Sequence, residues 1–245
     1  MKVSVIVPAF NEKLYIEKCL ESLEKQEDKP DEIIVVNNNS TDKTVAIAEK
    51  FPVRVVNEKE QGMIQARNRG FNEAQYDIIA RIDADTMAPT DWIKKIKQSF
   101  QATELVALSG PSYFYETPYN LSPKTVFNLH KPYFMIIKEI LRHDCLYGPN
   151  MAIRKSAWKK IKDLVCLNDK QVHEDIDLTI HLAPLGKIKF DRTLIVTSSF
   201  RRFKRFKPYL EYPYRARNSI NQHEEYTLKS RSKKMIKKII DHTFI

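Results

Sequence analysis

The stretch DIIARIDADTMAP, residues 77–89, runs from apolar sequence straight into two aspartates. Residues 77–82 read as a buried strand, and Asp83 and Asp85 stand one residue apart at its carboxyl end. Residues i and i+2 of an extended segment project to the same side, so both carboxylates can face one ligand. Burying a charge is costly unless it is paired or bound to a metal. By residue type alone the pair is equally a solvated turn with Thr86 and Pro89, and the surrounding sequence has to decide.

Upstream, β-rich runs alternate with helical stretches. VSVIV (3–7) precedes a helix carrying Leu14, Cys19, Leu20 and Leu23, and EIIVV (32–36) precedes STDKTVAIAEK (40–50). Ser40 or Thr41 can cap that second helix, with Asp42 favouring its first turn. VRVV (53–56) precedes a helix at 63–74, and residues 77–82 precede TDWIKKIKQSF (90–100). Strands alternating with helices predict a mostly parallel sheet flanked by helices. Strands buried on both faces read as continuous apolar runs, as these do.

After ELVALSG (104–110) the alternation stops. A Pro- and Tyr-rich stretch leads into a long helix ending near LRH (141–143). LYGPNMAIRKSAW (146–158), HEDIDLTIHLAPLG (173–186) and two short strands, KIKF (187–190) and TLIVT (193–197), follow. The expected organisation is one domain over residues 1–206, with halves at 1–110 and 111–206, and a basic helical extension over 207–245.

The net charge of +10 is concentrated at one end: from position 201 onward, 13 Lys and Arg stand against 4 acids, leaving +1 for residues 1–200. This suits a local anionic partner and argues against a chain built to bind nucleic acid. Cys19, Cys145 and Cys166 are far apart, without a CxxC, which predicts free thiols in a reducing, cytoplasmic compartment. No apolar run approaches the roughly 18 residues of a membrane span, and MKVSVIVPAF reads as a strand and not a signal peptide. The five glycines form neither GxGxxG nor GxxxxGK[ST]. A nucleotide bound here would therefore be held without either phosphate-cradling loop, and a metal ion is the natural substitute.

Seven segments stand in a characteristic order: VSVIVPAFNE (3–12), IIVVNNNSTDKT (33–44), EQGMIQARNRGFNEA (60–74) before ARIDADTMAP (80–89), YGPNMAIRKSAW (147–158), HEDIDL (173–178) and SSFRRFKRF (198–206). Together they resemble family two of the nucleotide-sugar glycosyltransferases over about residues 2–206, which implies a GT-A fold. By resemblance, the segment Pro8, Ala9, Phe10, Asn11 and Glu12, with Asn37 and Asn39, walls a nucleoside pocket. By residue type alone these are equally turn residues. The chain departs from the family in carrying Asn37, Asn38 and Asn39 where aspartate is usual. An amide both donates and accepts, so Asn37 can meet a uracil imide or another base edge.

The resemblance also implies that Asp85 contacts Mn²⁺ or Mg²⁺, with Asp83 on the ribose or the metal shell and Ala84 between them. Arg67 is expected on the diphosphate or sugar. HEDIDL supplies the acceptor end, with Asp175 as catalytic base, Glu174 orienting the acceptor and Asp177 structural. Acids at a helix start are also ordinary dipole partners. His173 stands where relatives often have glycine. RRFKRF loosely resembles the QxxRW stretch of processive members, with Arg202, Arg205 and Phe206 in place of Gln, Arg and Trp, and is expected to form a cationic flap.

The expected activity is inverting, metal-dependent hexosyl or N-acetylhexosaminyl transfer from a nucleotide-sugar donor, UDP first, to an acceptor hydroxyl. Glycan and lipid-linked acceptors of cell-surface polysaccharide or glycolipid assembly both fit. The rivals are a polyprenyl-phosphate glycosyltransferase, a nucleotidyltransferase and a non-catalytic binding module. In the tail, Leu228, Met235, Ile236, Ile239, Ile240 and Phe244 recur at helical spacing among lysines. Such a stripe fits an anionic membrane surface on the cytoplasmic face, the protein's own body or a second copy in a homodimer.

Overall fold

The computed structural model describes residues 1–117, 122–168, 170–204 and 207–223. Its centre is a seven-stranded sheet of β1 (Val3–Ala9), β2 (Glu32–Asn37), β3 (Arg54–Asn57), β4 (Ile78–Ile82), β6 (Leu105–Ser109), β8 (Asn150–Arg154) and β9 (Lys187–Phe190). Across the sheet the order is β3-β2-β1-β4-β8-β6-β9. β1 pairs in parallel with β2 and β4, β2 with β3, and β6 with β9. β8 is antiparallel to both its neighbours, β4 and β6. A second, three-stranded sheet has β10 (Val196–Ser199) between β5 (Thr86–Met87) and β7 (Ser112–Tyr115). Its interior carries a hydroxyl ladder, with Ser198 Oγ 2.7 Å from Thr86 Oγ1 and 2.5 Å from Ser112 Oγ.

The central strands are apolar at successive positions because both faces are covered. Val3, Val5 and Val7 point to one side, where α1 (Ile16–Glu24) and α4 (Trp92–Ser99) supply Leu20, Leu23, Trp92 and Ile96. Ile6, Ile34, Val36 and Ile79 point to the other. There α3 (Met63–Glu73), α6 (Lys155–Ile161) and α7 (Glu174–Leu182) bring Phe71, Trp158 and Leu178. A smaller cluster joins α5 (Pro123–Leu141), α7 and α8 (Lys207–Asn221) through Leu141, Ile176, Ile180, Ala216 and Ile220. The expected mostly parallel α/β sheet is present.

Local expectations needed correction. Leu14 precedes α1 and is exposed, because the helix begins only at Ile16. Neither Ser40 nor Thr41 caps α2 (Thr44–Ala48); Asp42 Oδ1 instead accepts from the Thr44 amide at 2.9 Å. The last strand lies at 196–199 and not 193–197, because Thr193 turns back onto Asp191 Oδ1. The basic amphipathic stretch beyond residue 223 lies outside the described residues. Among the described residues, no helix is long and apolar enough to cross a membrane.

Gly70 marks how tightly α3 lies on the sheet: a Cβ there would stand 2.2 Å from Ile6 Cγ2 and 2.9 Å from Val36 Cγ2. Both neighbours are branched side chains inside a packed core and cannot swing away. Gly70→Ala is therefore expected to destabilise the protein by about 1–3 kcal/mol through overpacking, read as a lower urea midpoint with an unchanged slope.

Candidate active site

The carboxyl ends of β1, β2 and β4 open on one edge of the sheet, where parallel α/β folds gather their ligands. Two clefts meet there. The first, of about 650 Å³, has walls from Pro8, Ala9, Phe10, Glu12, Asn38, Gln61 and Gly62. The second, of about 340 Å³, is lined by Phe114, Tyr147, Gly148, His173, Glu174, Asp175, Phe203, Tyr212 and Arg215. Arg81, Asp83, Asp85 and Arg202 line both, so the paired aspartates stand on the wall between the clefts.

The floor is held by Arg81, which sits in the middle of the β4 apolar run and is 1% exposed. Its Nη1 donates to Glu174 Oε1 at 2.8 Å and its Nη2 to Asp83 Oδ1 at 3.0 Å. The same Nη1 lies 3.9 Å from Asp175 Oδ1. One guanidinium thus ties the two acidic motifs together, and its carboxylate ring pushes its own pKa up despite burial. The sequence signal was available: an arginine inside IIARI can be buried only if it is paired.

Arg67 was expected on the diphosphate but is fully buried behind the wall. Its Nη1 lies 3.2 Å from the Glu174 carbonyl oxygen and 3.6 Å from Glu174 Oε2, while Nε and Nη2 donate to Asn68 Oδ1. Burial holds its pKa below the ordinary arginine value. In this structure Arg67 supports Glu174 and does not face either cleft. The two arginines outweigh the cost of burying Glu174 and keep its pKa low.

Asp175 is set differently. Oδ2 accepts from the Gly148 amide at 2.8 Å, whereas Oδ1 has no hydrogen-bond partner. Burial, and then the neighbouring Glu174, raise its pKa above the ordinary carboxylate range. Gly148 belongs to the turn before β8, and a Cβ there would lie 3.1 and 3.2 Å from the two Asp175 carboxylate oxygens. The adjacent His173 is kept neutral, its pKa lowered to about 4 by burial, and its Nδ1 also has no hydrogen-bond partner.

On the other side of the wall, Arg201 was not foreseen. Its Nε donates to Asp85 Oδ2 at 2.9 Å, its Nη2 reaches Glu12 Oε1, and the group lies over the Tyr15 ring at 4.3 Å. It comes from a 3-10 turn, Phe200–Lys204, that follows β10. The β10–β5 pairing and the Ser199 amide, which donates to the Asp85 carbonyl at 3.1 Å, bring that turn over the aspartates. Arg202 lies beside it, 5.5 Å from the Tyr212 ring centroid. Arg205 and Phe206 lie outside the described residues.

In the asparagine segment β2 ends at Asn37, and Asn39 takes a left-handed conformation at φ 63°. Asn38, absent from the expected set, is buried and lines the first cleft. Its Nδ2 donates to the Glu58 and Glu60 carbonyls, and its Oδ1 accepts from Gln61 and Gly62. Asn37 instead bonds Asn57 and the Ser40 amide, and Asn39 the Lys59 carbonyl. Asn11 ties its loop to Thr41. Asn11, Asn37 and Asn39 therefore brace the cleft loops, while Pro8, Ala9, Phe10, Glu12 and Ala84 line the cleft.

A divalent cation is tested by the donor set. Asp85 is pushed up by burial and by Asp83, so the site favours a positive charge. Glu12 is pushed up to about 7, first by burial, and its Oε2 has no hydrogen-bond partner. Arg201 already places a cation across these two acids. Hard oxygen donors of this kind fit Mn²⁺ or Mg²⁺.

The chain belongs to Glycosyl transferase family 2, whose model matches residues 4–162. It is 33% identical to the putative glycosyltransferase EpsH of Bacillus subtilis over 121 residues, covering 47% of this chain and 35% of that protein. The chain thus spans about a third of the length of this curated relative. Its fold is similar to S. aureus TarS bound to UDP-GlcNAc, with TM-score 0.63, 21% identity, and 81% of this chain and 58% of that one covered. It is likewise similar to mannosyltransferase PcManGT of Pyrobaculum calidifontis in complex with GDP-Man and Mn²⁺, with TM-score 0.59, 21% identity, and 80% and 56% covered. The fold is GT-A.

Arg81→Met is expected to destabilise the chain by about 3–5 kcal/mol, because it strands Glu174 and Asp83 without their shared cation. Equilibrium unfolding in urea measures it. Arg81→Lys should recover only part of the loss, since an ammonium cannot span both carboxylates as the guanidinium fork does.

Proposed function

We propose that this protein transfers one sugar from a nucleoside-diphosphate donor to an acceptor hydroxyl with inversion at the anomeric carbon. The observation that carries the reading is Asp175: a buried carboxylate on the cleft wall, with a raised pKa and one oxygen that accepts no hydrogen bond and lies 3.9 Å from Arg81. Residues 1–110 supply most of the donor cleft, with Phe10 as an exposed aromatic surface for the base and Asn38 anchoring the opposite loop. Residues 111–206 supply most of the acceptor cleft, with α8 completing its rim through Tyr212 and Arg215. UDP is the first donor to test, in keeping with the UDP-GlcNAc complex of TarS, and GDP the second, in keeping with PcManGT.

In the reaction, Asp175 Oδ1 takes the proton of the acceptor hydroxyl as that oxygen attacks the anomeric carbon. The bond from that carbon to the diphosphate oxygen breaks, and its electron pair leaves with the nucleoside diphosphate. Mn²⁺ or Mg²⁺ held by Asp85 and Asp83 would supply Lewis-acid stabilisation of that leaving oxygen. Arg201 and Arg202 add positive charge at the same wall, so Arg201 must exchange its carboxylate partners for ligand contacts on binding. Glu174, clamped by Arg81 and Arg67, holds the start of α7 so that Asp175 keeps its place. A phosphate acceptor would arrive already ionised and need no base, so an aimed carboxylate favours a hydroxyl over a polyprenyl phosphate.

Asp175→Asn is expected to keep donor affinity while transfer falls by about 10²–10⁴-fold. Asp85→Asn is expected to lose metal-dependent donor binding. Isothermal titration with UDP-sugar and Mn²⁺, paired with single-turnover transfer, separates the two. Undiminished transfer by Asp175→Asn into a lipid-extractable product would replace this reading with the phosphate-acceptor one.

The base works only when ionised, and burial beside Glu174 raises its pKa. Transfer should therefore fall as pH drops, with an inflection above the ordinary aspartate value of about 3.9. A kcat/KM profile on the wild type locates that limb, and its position at or below the ordinary value would remove Asp175 from the base role.

A further inference from the structure

On the far side of α7 from the base, Asp177, His181 and His223 bring three ligand atoms within 4.8 Å of one another. Asp177 and His181 are four residues apart on the helix and so share a face; His223 follows α8 and reaches in from the other side. His181 Nε2 lies 3.7 Å and His223 Nε2 3.5 Å from the same oxygen, Asp177 Oδ1. The rings stand 4.8 Å apart at 77°. These separations are at or beyond the limit of a hydrogen bond. Two ligands of a tetrahedral ion with bonds of about 2.0–2.1 Å lie roughly 3.3 Å apart, so the spacing needs only small side-chain adjustments to close on a metal.

The carboxylate makes the stronger case. The Asp177 side chain is 2% exposed; its ion-pair neighbours are His181 and His223, with the buried Arg67 guanidinium acting on it from farther away. Its other oxygen, Oδ2, accepts from the Cys166 amide at 2.9 Å, which fixes the direction of Oδ1. An outer-shell bond of this kind is what orients metal-binding carboxylates. A buried charge requires compensation, and the side chains nearest its Oδ1 are two imidazoles placed where they could share a cation with it.

We propose that Asp177, His181 and His223 form a second metal site, separate from Asp83 and Asp85, that takes Zn²⁺ or a similar borderline transition ion with water completing the shell. Two imidazoles and one carboxylate suit such an ion better than the oxygen-preferring Mg²⁺. The ion fastens α8 to α7. α8 carries Tyr212 and Arg215 into the acceptor cleft, and its Ser219 Oγ accepts from the His173 amide at 2.8 Å, next to Glu174 and Asp175. Occupancy would hold the acceptor wall against the helix that bears the base.

The test uses the full-length, untagged, chelator-stripped chain and Co²⁺ alone, with no nucleotide present. Wild type and Asp85→Asn are each expected to bind one Co²⁺ with visible d–d absorption, displaced by Zn²⁺. His223→Gln and His181→Gln, checked for unchanged circular dichroism, should bind Co²⁺ more weakly by more than the roughly 10–100-fold that loss of an outer-shell partner costs. Zn²⁺ should raise the melting temperature of wild type and Asp85→Asn but of neither histidine variant. The proposal is overturned if wild type gives no d–d bands, if the bands survive in both histidine variants, or if only Asp85→Asn abolishes them.

Discussion

Arg81 is the constraint on which the site rests. It is a full charge in the interior of a β-strand, tolerated because Glu174 and Asp83 lie within hydrogen-bond reach and Asp175 just beyond it. Removing a charge from water costs several kcal/mol, and only close, well-aligned partners offset it. The same requirement that makes Arg81 expensive therefore dictates where the two acidic motifs must stand. β4 carries the first motif directly, and α7 is drawn in until its N-terminal acids meet the guanidinium.

The electrostatics of the neighbouring acids follow from that geometry. Glu174 faces two guanidinium groups and stays ionised, whereas Asp175, one residue on, takes one backbone amide and lies 3.9 Å from Arg81. Two adjacent carboxylates thus have their proton affinities pushed apart, the separation on which the proposed division into one structural and one proton-transferring carboxylate rests. Gly148 lets the backbone come this close without crowding, since a Cβ there would press on both Asp175 oxygens, at 3.1 and 3.2 Å. The turn bearing Gly148 leads into β8, the strand antiparallel to both neighbours. Its reversed direction delivers the turn to the same edge of the sheet as the end of β4.

The wall between the clefts has a second layer, contributed by the small sheet. Ser198 bridges Thr86 and Ser112, and this buried hydroxyl chain places the Phe200–Lys204 turn above Asp85. Arg201 then neutralises Asp85 and Glu12 together, which lets two half-buried acids with raised proton affinities coexist.

What the sequence by itself determined was whatever is local. Two-sided burial requires continuous apolar runs, so the first four strands of the central sheet could be read from VSVIV, EIIVV, VRVV and DIIARI, and the acidic pairs at a strand end and a helix start marked the site. What the tertiary structure decided were pairings between distant positions and faces. Arg201 and Asp85 are 116 residues apart, and Arg81 and Glu174 are 93 apart. No local period encodes either contact. Arg67 has a surface-like sequence context, yet the packing of α3 against α7 turns it inward onto Glu174. The asparagine triplet shows the limit most plainly. Residue type could not tell Asn38 from Asn37 and Asn39, because the chain leaves β2 at Asn37 and turns at Asn39, and only the position of residues 58–62 decides that Asn38 is the buried one lining the cleft.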